Sequence, residues 1–228
     1  MATHPDDEII GVGGALARHE QEGDDVHVSI LSEAEPARYD EITPEVETKM
    51  RERRDCTRRA CSVLGIDSVS FHGFPDNSFD AIPLLDLVKA VEDEIRTHEP
   101  DVIYTHHYGD LNISHELTCR AVITAARPLP DSTVESVFAY ETLSTSEWSA
   151  PSVQNAFQPT SFVDISEQLE TKLEALREHR TELQTHPHPR NTEDVRRNAK
   201  LWGAKSGLEA AEPFELLRQV RGNGERIR

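Results

Sequence analysis

Short apolar runs alternate along this chain with longer stretches whose apolar residues recur at helical spacing. Val26–Leu31, Val69–His72 and Val102–Thr105 read as strands, followed by Val134–Leu143 and a shorter run at Ser161–Ile165. Glu45–Leu64 reads as a helix closed by Gly65. Pro83–His98 sets Leu84, Val88, Val91 and Ile95 on one helical face, and Pro100 stops it. His115–Ala126, Ser166–Gln184 and Thr192–Ser206 are predicted as further helices. Strands alternating with helices predict an α/β protein whose parallel sheet is covered on both faces. There is no internal repeat, and one domain spanning 1–228 is expected. The polar stretch Ser144–Pro159 is predicted to be a mobile loop, and Arg221–Arg228 a frayed end.

In sheets of this kind ligands bind beyond the carboxyl ends of the strands. The polar clusters fall there. His4, Asp6 and Asp7 precede the first helix, and Glu33 follows the first predicted strand. Asp76 and Asn77 follow the second, while His106, His107, Asp110, Asn112 and His115 follow the third.

Charge narrows the function classes. Asp and Glu number 42 against 24 Lys and Arg, a formal charge of -18. A protein that tracks a phosphate backbone needs a basic surface, so nucleic acid is an unfavourable partner. The acidic residues are spread along the chain, as expected of a protein adapted to a salt-rich cytoplasm, where screening relieves self-repulsion. No apolar run is long enough to span a bilayer, and no basic-then-apolar leader opens the sequence, so a cytoplasmic protein without a membrane span is predicted. Cys56, Cys61 and Cys119 are an odd set without paired spacing, and they read as half-buried thiols.

Two clusters carry candidate chemistry. In His4-Pro5-Asp6-Asp7-Glu8, proline stiffens the turn and helical geometry sets His4 and Asp7 on one side, with Asp6 pointing elsewhere. An imidazole and a carboxylate so placed suit zinc. The same run also reads as an acidic helix N-terminus that offsets the macrodipole. The second cluster, His106 to His115, holds three histidines on the same sheet edge and can supply a third ligand. His4, Asp7 and His115 satisfy the count of a catalytic zinc, which keeps three protein ligands and one position for water.

HPDDE at 4–8 followed by GGAL, with DLNISH at 110–115, resembles the LmbE-like (PIG-L) family of zinc-dependent N-deacetylases. FPDNSFD at 74–80, Ser161–Glu182, PHPR at 187–190 and Gly203–Phe214 extend the resemblance over nearly the whole chain. It implies a Rossmann-like three-layer fold and hydrolysis of an N-acetyl amide on an amino-sugar conjugate. One Zn2+ per chain would be held by His4, Asp7 and His115, with Fe2+ or Mn2+ as substitutes and Asp6 as general base. Oligomerisation is common in the family, which makes a homo-oligomer an expectation.

Two departures follow from the same comparison. Asn112 stands where many members carry a histidine that donates to the oxyanion or acts as acid, so Asn112, His107 and His188 are the candidates for that role. Ser114 stands where an aspartate is usual. An apolar strand normally precedes HPDDE, yet here only Met1, Ala2 and Thr3 do. The first strand is therefore expected to be missing or reduced to a stub, with the true start lying upstream. Arg54, Asp76, His107 and Asp110 are the candidate substrate contacts. Gly11-Val12-Gly13-Gly14 reads as tight helix packing rather than a dinucleotide loop, because Leu16 stands where that loop needs glycine. Trp148 and Trp202 could stack on a sugar or pack in the core. An amide hydrolase acting on a non-sugar or thiol conjugate, and a metal-containing protein that only binds, are the competing readings.

Overall fold

A computed structural model describes all residues except 34, 40, 131, 151, 153, 154 and 222–228, so the expected frayed end lies almost wholly outside the described residues. The elements run α1 (Asp7–Glu22), β1 (His27–Ser32), α2 (Pro44–Val63), β2 (Ser68–Phe74), α3 (Leu84–His98), β3 (Val102–His106), α4 (Ile113–Ala125), β4 (Ser136–Tyr140), β5 (Ser161–Asp164), α5 (Leu169–Glu178), α6 (Thr192–Ser206) and β6 (Ala211–Gln219).

Local chemistry fixes the helix ends. Thr43 caps α2 through the Val46 N–H, with Pro44 in the first turn, and Gly65 beyond its end adopts φ 87°. Asn112 caps α4 by accepting from the Ser114 N–H at 2.9 Å, so that helix opens two residues before the predicted start. Asn191 caps α6 in the same way.

β1 pairs with β2 and β3 with β4, both parallel, while β6 runs antiparallel between β4 and β5. The expected stub is present. The Ala2 N–H donates to Ser29 O at 2.9 Å and Ala2 O accepts from Leu31 N–H at 3.0 Å, a parallel bridge to β1. On its other side, the Met1 ammonium donates to Tyr104 O on β3 at 2.9 Å. Met1–Thr3 thus lies between β1 and β3 at the carboxyl end. Below it the two strands are not bridged, and a cleft of about 690 Å³ opens, lined by Val12, Leu16, Val28, Ile95 and Tyr104 among others.

Helices cover both faces. α1, α2, α5 and α6 share one core with Ile30, Tyr140 and Phe214, and α3 and α4 share the other with Leu31 and Val137. Ile30 and Leu31 point to opposite layers because side chains alternate along a strand. Two glycines of α1 are packing positions: a Cβ on Gly11 would sit 2.2 Å from the Tyr140 ring, and one on Gly14 would sit 2.8 Å from Ile165. The same helix is pinned by polar groups. Glu212 of β6 accepts from the Gly14 and Ala15 N–H groups at 2.8 and 2.7 Å, and Lys172 of α5 bridges Glu212 and Ile10 O. A buried carboxylate needs such company, since desolvation alone would cost several kcal/mol.

The segment expected to be mobile is held at its start. Ser146 is buried and donates to Asp110 Oδ2 at 2.5 Å, and Thr145 donates to the same oxygen at 2.9 Å. Residues 151, 153 and 154 of that segment lie outside the described residues.

Candidate active site

The loop before α1 and the loop after β3 meet at the carboxyl edge. His4 Nδ1 lies 3.1 Å from His115 Nε2 and 3.2 Å from Asp7 Oδ2, and His115 Nε2 lies 3.2 Å from the same oxygen. Two imidazole nitrogens and a carboxylate oxygen thus form a near-equilateral triangle. Three ligands of a tetrahedral ion at ~2.0–2.1 Å would be about 3.3 Å apart. Asp7 Oδ1 is buried and without a hydrogen-bond partner. Donor type, spacing and the orphaned oxygen all fit a zinc-type cation.

The outward nitrogens of both histidines face carboxylates. His4 Nε2 is 3.1 Å from Asp76 Oδ1, and His115 Nδ1 is 3.2 Å from Asp110 Oδ1. That is the arrangement which fixes the tautomer and ring orientation of a metal-ligating histidine. Asp76 and Asp110 were expected to touch substrate; the structure buries both behind the candidate ligands instead.

His106 also approaches Asp7, at 3.5 Å, and its ring stacks on His115 with centroids 3.9 Å apart. Its Nε2 accepts the Thr3 N–H at 2.9 Å, so that lone pair is not available to a metal. Burial and the neighbouring His115 hold the His106 pKa well below its usual value. Burial would lower His115 and raise Asp7, but their mutual attraction prevails, and the Asp110 and His106 contacts add to it. His115 is pushed up to about 9 and Asp7 falls well below the carboxylate range.

Asp6 is turned away from the triangle by its backbone, at φ 124°, a conformation strained for any residue but glycine. The surroundings hold it there. Its N–H donates to Glu8 Oε2 at 2.9 Å, its C=O accepts from Ile9 and Ile10, and Arg53 donates to Pro5 O at 2.8 Å. The Asp6 carboxylate is buried, with Oδ2 accepting from Arg190 Nη1 at 3.1 Å and Oδ1 unpartnered. Burial raises its pKa against the opposing pull of Arg190.

The remaining predicted site residues are placed less centrally. Arg54 is paired with Glu33 and lies over the Phe71 ring, whereas its neighbour Arg53 is the arginine that reaches the His4–Asp7 turn. Adjacent helical residues point about 100° apart, so one arginine of the run enters the site and the next does not. His107 is fully buried with both nitrogens engaged, Nδ1 on Glu215 at 2.7 Å and Nε2 on Asn155 O at 2.9 Å, leaving none for a substrate. Asn112 caps α4 with its oxygen and donates to Asn77 with its nitrogen. His188 accepts the Arg190 N–H on Nδ1 at 3.1 Å, which leaves the proton on Nε2, and its ring meets the edge of Trp148. Arg190 ends the PHPR run, and nothing in its sequence position, 184 residues from Asp6, points to that partner. Trp148 is half exposed, while Trp202 donates to Glu141 inside the fold.

A family model described as PIG-L, GlcNAc-PI de-N-acetylase, matches residues 1–126, more than half of the chain. The chain belongs to the PIG-L family. Among curated relatives, an uncharacterized deacetylase of Escherichia coli K12, YaiS, is 28% identical over 187 residues, covering 79% of this chain and 89% of the relative. N,N'-diacetylchitobiose deacetylase from Pyrococcus horikoshii, solved with its inhibitor MPG, superposes with a TM-score of 0.75 at 19% identity, over 95% of this PIG-L chain and 82% of that one. GalB, the 4-carboxy-2-hydroxymuconate hydratase of Pseudomonas putida KT2440, shares the fold with a TM-score of 0.76 at 21% identity, over 99% and 97%. One scaffold therefore carries both a deacetylase and a hydratase, and the reaction of this PIG-L protein has to be argued from its site.

Proposed function

We propose that this PIG-L protein hydrolyses the N-acetyl amide of an amino-sugar conjugate, with one zinc ion per chain at His4, Asp7 and His115 and with Asp6 as general base. The observation that supports it is the pairing of that three-donor triangle with an adjacent buried carboxylate of raised pKa and one unpartnered oxygen. Iron or manganese would accept the same donors. When bound, the ion supplies Lewis acidity to the amide carbonyl and acidifies water. Asp6 takes the proton of the attacking water and returns it to the departing amine, and its raised pKa suits both halves of that duty. Arg190, on Oδ2, orients the carboxylate and leaves Oδ1 for the transfer. His188, with its proton on Nε2, donates to the oxyanion in place of the histidine replaced by Asn112. Trp148, exposed beside His188, offers a flat apolar face to a sugar ring. The family description and the Pyrococcus relative's name both concern acetylated amino sugars.

The deciding test is acetate release from N-acetylglucosamine conjugates by the zinc-loaded protein beside its Asp6→Asn variant. Release that drops in the variant by about 10²–10⁴-fold, with zinc content unchanged, is the expected result. Zinc bound stoichiometrically with no release from any N-acetyl sugar would move the assignment to a non-sugar amide or a binding role.

A further inference from the structure

The cleft below the Met1–Thr3 stub carries a second group of imidazoles, remote in the fold from the carboxyl edge. His27 opens β1, and Glu94 and His98 lie four residues apart on α3, on one face of its last turns. His27 Nε2 is 2.9 Å and His98 Nε2 3.4 Å from the same oxygen, Glu94 Oε2. The three donor atoms all lie within 4.8 Å of one another. His72 of β2 steadies the carboxylate from its other side, 2.9 Å from Oε1, while Ser29 Oγ lies 3.0 Å from the same His72 nitrogen.

A purely structural His–Glu pair would aim an N–H at the carboxylate. Here Glu94 Oε2 is buried between two imidazoles without a well-aligned hydrogen bond from either, while His27 meets Ser68 Oγ through Nδ1 at 2.7 Å and Ser70 Oγ through Nε2 at 3.1 Å.

We propose that His27, Glu94 and His98 form a second divalent-metal site, separate from His4, Asp7 and His115, which takes zinc or a similar borderline cation and ties β1 to α3. Two imidazoles and one carboxylate are a donor set that zinc, nickel and copper accept. The rings of His27 and His98 are stacked, with centroids 3.6 Å apart, so their lone pairs run side by side. His98 sits at the end of α3 with its side chain about a third exposed. The net charge of -18 draws cations towards the protein.

The test is zinc stoichiometry by native mass spectrometry on metal-stripped protein titrated with ZnCl2, for the parent, Glu94→Gln, His98→Ala and His186→Ala. His98 is on the surface, so His98→Ala keeps the fold, which far-ultraviolet circular dichroism verifies. The expected result is one zinc equivalent fewer in Glu94→Gln and in His98→Ala than in the parent, with His186→Ala unchanged. Because the readout is a difference, it does not depend on the occupancy of the His4 site. Equal stoichiometry in the parent and both cleft variants would overturn the proposal. So would an equal loss in His186→Ala, which marks binding to any surface histidine.

Discussion

At the scale of residues, the site separates groups that would touch an ion or a substrate from groups that aim them. Asp76 and Asp110 face the outward nitrogens of His4 and His115. Asp76→Asn and Asp110→Asn are therefore expected to weaken zinc binding by about 10–100-fold, measured by competition with a chelator, while KM for substrate at saturating zinc changes little. His188→Ala is expected to lower kcat by about 10²–10³-fold, the usual cost of an oxyanion donor; full activity would remove His188 from that role. His107 gives a pH signature instead of a catalytic one. Burial lowers its pKa, but the Glu215 carboxylate and the Asn155 carbonyl override that and raise it above the usual value. A histidine whose folded pKa is raised contributes stability that is full below its unfolded pKa of about 6.5, and that is lost as pH rises through the folded value. Melting temperature should accordingly fall as pH rises above about 6.5, and the fall should be shallower in His107→Gln. An identical slope in both proteins would assign the titration to another group.

At the scale of elements, α1 shows most directly how packing sets the sequence. A methyl on Gly11 would collide with the buried Tyr140 ring, whose hydroxyl is itself fixed on Met1 O at 3.1 Å. Gly11→Ala is expected to cost at least the upper part of the overpacking range of about 1–3 kcal/mol in urea unfolding. Gly13→Ala is the control: its nearest neighbour would be Ile9 Cγ2 at 3.4 Å, ordinary contact, and alanine gains up to about 1 kcal/mol in helix propensity. The two variants should move stability in opposite directions. Most helices and the first five strands were legible from their period and stops, as at Pro83 to Pro100, whereas the expected Ser166–Gln184 helix spans only Leu169–Glu178. β6 was not. Its run Ala-Glu-Pro-Phe-Glu sets two carboxylates in the interior, Glu212 for the α1 backbone and Lys172, and Glu215 for His107, and these erase the apolar alternation that announces a strand. Lys172 disguises the buried face of α5 for the same reason. In the site, the motif residues were legible from local spacing, whereas Arg53 and Arg190 were hidden. Their partners, Pro5 O and Asp6, are brought to them only by the packing of distant elements.

At the scale of the whole molecule, charge is the dominant feature left over. A surplus of 18 negative charges on a chain of this size raises the energy of the compact state relative to the expanded one, since folding brings like charges together. The ion pairs do not cancel this, because most of them lie on the surface, where each contributes at most about 1 kcal/mol and weakens in salt. Added salt thus has two opposing effects: it loosens favourable pairs and relieves the net repulsion. With acids outnumbering bases 42 to 24, relief outweighs loss. The Debye length shrinks from about 10 Å at 0.1 M to about 3 Å at 1 M, and most of the benefit should come over that interval. The melting temperature is expected to climb in KCl up to about 1 M and then flatten, with NaCl giving the same curve if screening is the cause. Reversing three exposed acids, Glu52, Asp80 and Glu99, to lysine should raise the low-salt melting temperature and shrink its salt dependence together. A parent whose melting temperature is flat or falls in KCl would show that the acidic excess is carried without strain, and that its role lies in keeping the protein soluble or in drawing cations to the proposed metal sites.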